Sequence, residues 1–351
     1  MRLRLFYALI PIIAFLILFE YTIINLGLGF PRSSYCFNER LMLRRPNSSY
    51  INYKDQRNIV HLNNLGFHDK NREKTNDDKK RIVFIGDSFV EGAQVSIDSL
   101  FSTRIEKYFN SSNDSSFEII NCGVGGVGTA WQYVLWDEYI RDNLSYDHII
   151  LFFLPDNDLR DNHPKLSSRR GQIKIYLDKN GFPKIEYMEL SSRIKLFNYL
   201  SSHSAIFNTI RQRLFVLRKV LKKNRTGDKK AFINQKGIRS RNDDNYYQES
   251  LIRTKKLMKR WINELQNDDI GFSIVYLENI EDKNNMQEKN IGLNLKNIVA
   301  DSTHFFNYKI QDGLIEKALF KKDKQYGHYT NFGHKIISEE IFFWIKNAVD
   351  R

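Results

Sequence analysis

Residues 81–92 read Arg81-Ile82-Val83-Phe84-Ile85-Gly86-Asp87-Ser88-Phe89-Val90-Glu91-Gly92. The β-branched, apolar run Arg81 to Ile85 predicts a buried strand, and the Gly-containing turn after it opens a helix with Ser88 at its head. A hydroxyl there stands at the carboxyl end of a strand, where backbone N–H groups at the helix start can face a developing oxyanion. Asp87 and Ser88 also suit plain helix capping, and Gly-Asp-Ser alone does not choose between the two.

The same rhythm continues outward. Phe117 to Asn121, His148 to Leu154 and Phe272 to Leu277 are further strand-like runs. Phe101 to Phe109, Thr129 to Arg141 and Tyr246 to Gln266 are helical, the last with Leu251, Met258, Trp261, Ile262 and Leu265 at helical spacing. Strands alternating with helices predict a parallel sheet covered on both faces, a flavodoxin-like three-layer α/β/α arrangement. Residues 160–245 interrupt it. Ile173 to Leu177 and Phe182 to Tyr187 flank the hairpin turn Asp178-Lys179-Asn180-Gly181, and Pro183 pushes the second arm to an edge. Ser204 to Lys223 follows, with Ile206, Phe207, Ile210, Leu214, Leu217 and Leu221 on one stripe and most of its Arg and Lys residues off it. We expect that stripe to pack on the domain in preference to resting on a membrane.

Three more clusters carry chemistry. Asn121-Cys122-Gly123-Val124-Gly125-Gly126-Val127-Gly128 follows a strand, and its glycines permit close backbone approach to an anion. The Gly-x-Gly-x-x-Gly spacing raises a dinucleotide site, but no ribose-binding acid follows a next strand at the expected distance. Pro155-Asp156-Asn157-Asp158 ends the third strand; Asn157 can donate an amide N–H to an oxyanion, and Asp158 reads as structural. Tyr326-Gly327-His328-Tyr329-Thr330-Asn331-Phe332-Gly333-His334 precedes a final amphipathic helix. His328 is the candidate base for a serine nucleophile, whereas His334 suits packing or capping. No third ligand accompanies the two histidines at a metal-binding spacing, so neither a metal nor an organic cofactor is implied.

Together, in this order over roughly residues 64–350, the four clusters resemble the SGNH/GDSL hydrolase family, and Asn64-Leu65-Gly66-Phe67 is similar to the segment preceding the serine in membrane-attached relatives. The spacing around Ser88 is not Gly-x-Ser-x-Gly, which disfavours an ordinary α/β-hydrolase elbow. The resemblance implies the SGNH hydrolase fold and serine-dependent ester hydrolysis or acyl transfer. Ser88 would be the nucleophile, His328 the base, and Ser88 N–H, Gly126 and Asn157 the oxyanion hole, with Gly123 the weaker glycine candidate. The family places an aspartate two or three residues before the histidine. Here those positions hold Gln325 and Tyr326, and Asp323 is the nearest carboxylate. That departure keeps a second reading open, a catalytically impaired module that binds glycan or lipid. Pro155 also stands where the family usually has glycine.

The net charge of +13 favours anionic surfaces without selecting one. Cys36 and Cys122 lie far apart and read as free thiols. Leu5 to Phe30 is nearly all apolar, broken chiefly by Glu20 and Asn25, and follows Arg2 and Arg4. It predicts a transmembrane signal anchor over residues 1–30, N-terminus in the cytoplasm, with the rest extracytoplasmic. Gly27-Leu28-Gly29 is a poor cleavage site for the rival signal peptide. A tether and lead-in then cover 31–80, and the hydrolase-like domain covers 81–351 with its insertion at 160–245. The expected partners are an acyl ester on a glycan or lipid, and the membrane through the N-terminal helix; the anchor argues against nucleic acid.

Overall fold

The computed structural model describes residues 2–26, 35–37, 41–52, 55–76, 78–111, 117–166, 173–187, 192–225, 241–278, 286–299, 304–322 and 325–348. From the N-terminus come helix α1 (Arg2–Leu26), the paired strands β1 (Tyr35–Phe37) and β2 (Met42–Arg44), and the hairpin β3 (Ser49–Asn52) and β4 (Asn58–His61). Alternation follows: β5 (Lys80–Ile85), α2 (Ser88–Glu91), α3 (Phe101–Ser111), β6 (Phe117–Asn121), α4 (Thr129–Leu135), β7 (His148–Phe153) and α5 (Pro155–Asn162). The hairpin β8 (Ile173–Leu177) and β9 (Pro183–Tyr187) and the helices α6 (Ser192–His203) and α7 (Ala205–Arg225) interrupt it. It resumes with α8 (Arg241–Asn267), β10 (Gly271–Leu277), α9 (Met286–Lys296) and β11 (Phe305–Tyr308). The antiparallel pair β12 (Leu319–Lys322) and β13 (Gln325–Tyr329) leads into α10 (Asn331–Ala348). Two compact units result: Arg44–Glu189 with Arg241–Arg351, and Met1–Leu43 with Leu190–Ser240.

The larger unit is built on a five-stranded sheet in the order β6-β5-β7-β10-β11, every neighbour parallel. Counted along the sheet's own strands this is 2-1-3-4-5, the doubly wound flavodoxin order, whose direction reverses between β5 and β7. Alternate side chains feed the two faces. Ile82, Phe84, Ile150 and Phe152 pack on one side with Ile105 and Phe109 of α3 and with Ile337, Ile341 and Ile345 of α10. On the other side Trp261 of α8 meets Phe272 of β10 and Tyr133 of α4. Burial on both faces explains why Ile82–Ile85 of β5 and Ile149–Phe153 of β7 read as unbroken apolar runs rather than alternating ones; β6 is buried throughout as well, with its one carboxylate, Glu118, taken up by Arg72 and Arg81. The predicted hairpin forms as β8–β9, with Leu177 opposite Pro183 at its turn end and Gly181 at φ +77°.

The lead-in is more than a tether. Arg72 is buried, and its guanidinium donates to Asp69 (2.8 Å), to Glu106 of α3 (3.0 Å) and to Glu118 of β6 (2.9 Å). Arg81 donates to the other oxygen of Glu118 (2.7 Å). Two buried cations shared among three carboxylates meet the desolvation cost of charge through geometry that leaves few lone pairs unused. This lashes residues 63–72 to the layer beneath them.

In the smaller unit, Glu20 does not simply face water. Its carboxylate accepts hydrogen bonds from Ala205 N (2.6 Å), Ile206 N (3.0 Å) and Ser204 Oγ (3.0 Å), capping the start of α7. Ile210, Leu214 and Leu217 of α7 are exposed, and so is every residue from Ile10 to Phe19 of α1. Among the described residues, no helix is long and apolar enough to cross a membrane. The expected membrane-spanning helix is therefore not found among them.

Candidate active site

Gly86 ends β5 where a β-carbon would lie 2.4 Å from Val90 Cγ2, so only glycine lets the chain turn this tightly. Asp87 caps α2, its Oδ1 accepting from Phe89 N (2.9 Å). Gly92 closes the helix in the left-handed conformation, φ +60°. Ser88 thus sits at the carboxyl end of β5, beside the point where the sheet order reverses and ligands of such sheets bind.

His328 reaches it from β13. Its Nε2 lies 2.8 Å from Ser88 Oγ. Phe89 flanks the imidazole with its ring centroid at 5.1 Å, and His328 is 4% exposed, so the pair meets in a largely dry setting. The other ring nitrogen, Nδ1, is hydrogen-bonded to Asp55 Oδ2. This is the carboxylate that the residues before His328 do not supply, and it comes from the loop between β3 and β4. Asp323, the sequence-based candidate, lies outside the described residues. Asp55 adopts φ +64°, a left-handed conformation that costs most residues about 1 kcal/mol or more and that Asp tolerates better than most. Gly327 makes room for it, since a β-carbon there would stand 2.7 Å from Asp55 Oδ1.

The loop carrying Asp55 is held by carboxamides. Asn52 Nδ2 donates to Ala93 O (3.2 Å), Gln56 Nε2 to Gln94 O (2.6 Å), and Asn58 Nδ2 to Ala93 O and Val95 O (3.1 and 2.8 Å). Those carbonyls follow directly on the helix that bears the serine. Nothing in the sequence marks Asp55, which lies 273 positions from its histidine. The signal available was indirect: with Gln325 and Tyr326 at the usual places, an acid had to come from elsewhere.

The glycine loop and α5 complete the site. Asn121 orders the loop, its Nδ2 donating to Val90 O (2.9 Å) and its Oδ1 accepting from Gly123 N (2.9 Å). That bond occupies the Gly123 N–H and removes it as an oxyanion donor. Gly125 lies against the nucleophile, its β-carbon position 3.3 Å from Ser88 Cβ, and Gly126 beside it takes φ +81°. Pro155 starts α5 in the first turn, where no N–H is needed, which accounts for its replacing glycine. Asn157 is fixed at both ends of its amide: Oδ1 accepts from Arg160 Nη2 (2.7 Å) and Nδ2 donates to Asp87 Oδ2 (2.7 Å). One N–H of Nδ2 is used there, and the carboxamide carries a second. Asp158 is structural as expected. It is buried and accepts from Leu154 N (2.7 Å) and Thr129 Oγ1 (3.2 Å), and burial pushes its carboxyl well above the usual range.

His334 packs and caps instead. Its ring stacks on Phe101 (5.6 Å) and its Nδ1 accepts from Phe101 N (3.2 Å), which requires the neutral form. Burial pushes its pKa down to about 3. The unfolded chain takes up that proton near pH 6.5, so the stability tied to neutral His334 is complete above that pH and is lost as pH falls toward 3. We expect the drop in melting temperature between pH 7 and pH 4 to be smaller in His334→Asn, which cannot titrate but can still accept; equal drops in the two proteins would refute this. Cys122 is a buried free thiol whose pKa burial pushes well up, so it is inert as a nucleophile.

No family model matches this chain, and no curated protein matches it. Among solved structures it is similar to the lipase Lip_vut3 from a goat rumen metagenome, at 9% identity and TM-score 0.41, covering 76% of this chain and 97% of that one. It is also similar to the psychrotrophic esterase EstA from Pseudoalteromonas sp. (10% identity, TM-score 0.41, 78% and 100% covered). A third is the acetylxylan esterase Axe2 from Geobacillus stearothermophilus (12% identity, TM-score 0.38, 78% and 96% covered). These neighbours are lipases and esterases, as the resemblance read from the four sequence blocks leads one to expect. Likeness at this level carries no argument about chemistry, which has to come from the residues themselves.

Proposed function

We propose that this protein is a serine esterase or acyltransferase that works through an acyl-enzyme on Ser88. The observation that carries it is the continuous line of hydrogen bonds Ser88 Oγ, His328 Nε2, His328 Nδ1, Asp55 Oδ2. In the proposed reaction, His328 Nε2 takes the Ser88 proton as Oγ adds to the ester carbonyl. The tetrahedral oxyanion is met by the N–H of Ser88, the N–H of Gly126 and the second Nδ2 hydrogen of Asn157. The carbon–oxygen bond to the leaving alcohol then breaks, and that alcohol takes the proton from Nε2. Water or a sugar hydroxyl attacks the serine ester next, giving its proton to His328, which returns it to Oγ. Asp55 holds the imidazole with Nδ1–H toward it and Nε2 toward the serine, and stabilises the imidazolium.

The substrate in this proposal is an acylated glycan or lipid outside the cytoplasm, with the chain held at the membrane by residues 1–30. What supports that part is the apolar run Leu5 to Phe30 behind Arg2 and Arg4. The impaired-binder reading draws on the missing aspartate; the Asp55 contact to His328 favours the enzyme over it. The test is a fluorophosphonate probe on the intact chain, with the labelled peptide identified. Labelling at Ser88 is expected; an unreactive folded protein, or label elsewhere, ends the proposal.

A further inference from the structure

Glu91 is a buried acid that the chemistry above does not use. It ends α2, three residues after the nucleophile, and is 5% exposed. Its Oε1 accepts from Tyr50 Oη at 2.6 Å and from Arg44 Nη2 at 3.4 Å. The Arg44 guanidinium lies over the Tyr50 ring, 4.0 Å from its centroid. Tyr50 belongs to β3, the strand that leads into the loop bearing Asp55. We infer that Glu91 is a positioning residue: through Tyr50 it fastens the β3–β4 arm to the nucleophile helix, and so sets Asp55 on His328. The inference rests on the Ser88 acyl-enzyme reading.

The physical case starts from the arm itself. A lone two-stranded hairpin is marginal in water, so its place must be set by what it touches. Its apolar footing is small: Val60, Leu62 and Ala93, with Tyr50 against them. The carboxamide bonds to residues 93–95 are neutral, whereas a phenol donating to a buried carboxylate is charge-assisted and roughly twice as strong. Asp55 also holds a left-handed backbone, a state that persists only where the surroundings over-determine it. A purely stabilising buried pair would need no connection to the acid. This one joins the element carrying the serine to the element carrying the aspartate.

The test is a double-mutant cycle read as the rate at which a fluorophosphonate probe labels Ser88 in the intact chain. Tyr50→Phe keeps the ring and removes only the hydroxyl. It is expected to slow labelling about 10-fold where Asp55 is present, since small misplacements of a catalytic group cost that much or more. In an Asp55→Asn background the same change is expected to cost under about 2-fold, because a misplaced arm then has no carboxylate to misplace. Glu91→Gln keeps an acceptor for the Tyr50 hydroxyl and removes only the charge, and is expected to couple to Asp55 in the same direction by a smaller factor. It serves as the second variant should Tyr50→Phe fold poorly. Glu91→Ala is less suitable, because Glu91 Oε2 also fills the space beside Gly125, 2.4 Å from that glycine's β-carbon position. Equal slowing in both backgrounds would show that Glu91 acts on general stability, and no slowing at all would show that the link is idle; either overturns the inference. A parent chain that is itself unlabelled at Ser88 overturns the acyl-enzyme reading, and this inference with it, before any variant is compared.

Discussion

Ser88→Ala is expected to lower turnover of a small acyl ester such as p-nitrophenyl acetate by on the order of 10⁶-fold, while leaving the melting temperature within a few degrees of the parent. In the proposed reaction the change removes the atom that bonds to the substrate, and no neighbour can replace it. Cys122 is buried with its thiol held protonated, and Gly125 presents only backbone to the nucleophile. Ser88 contributes little to the fold, because the cap of α2 is made by the Asp87 side chain. A residual rate above the uncatalysed one is still expected, since oxyanion donors and substrate contacts survive the loss of the nucleophile. Turnover that stays near the parent value in folded Ser88→Ala would mean that the chemistry lies elsewhere in the molecule.

Asp55→Asn comes next in size, with an expected loss in kcat of about 10⁴-fold. Asparagine fits the space, but its amide can donate where the carboxylate only accepts. The imidazole then loses the partner that keeps Nδ1 protonated and Nε2 ready to take the serine proton. At Asp323 the same substitution is expected to leave kcat within about 3-fold of the parent. The comparison separates the two carboxylates directly: a large loss at Asp323 with a small one at Asp55 would reverse the assignment. Because Asp55 belongs to the loop of the β3–β4 hairpin and not to the apolar core, the loss should appear in turnover with little change in melting temperature.

Much of the fold is legible in the residue order, and for a local reason. Ile82 to Ile85 and Ile149 to Phe153 are unbroken apolar runs because both faces of their strands are covered, and alternation with helices permits little but a parallel sheet. The hairpin at Asp178 to Gly181 was equally plain, since its turn chemistry is contained in four residues. Ser88 and Asn157 could be singled out because each stands just beyond a strand, and His328 because it stands just ahead of the final helix, all in short clusters whose composition is odd for a mere turn. Glu20 was harder. An acid in an apolar helix looks like an interfacial charge, and its actual partners, the first N–H groups of α7, lie 185 positions away.

By itself, then, the order of residues determined the layer architecture and singled out Ser88 and His328 as the candidate nucleophile and base, because these depend on short-range periodicity and on motifs that carry their own backbone geometry. Only the tertiary structure decided which acid stands against His328, what holds that acid, and that the Gly123 N–H is already taken. Those facts depend on hydrogen bonds between segments far apart in the chain. A hydrogen bond leaves no periodic trace in sequence: any Asp in a polar loop can supply a carboxylate, and only the folded path of β3 and β4 brings Asp55, rather than another, to the imidazole.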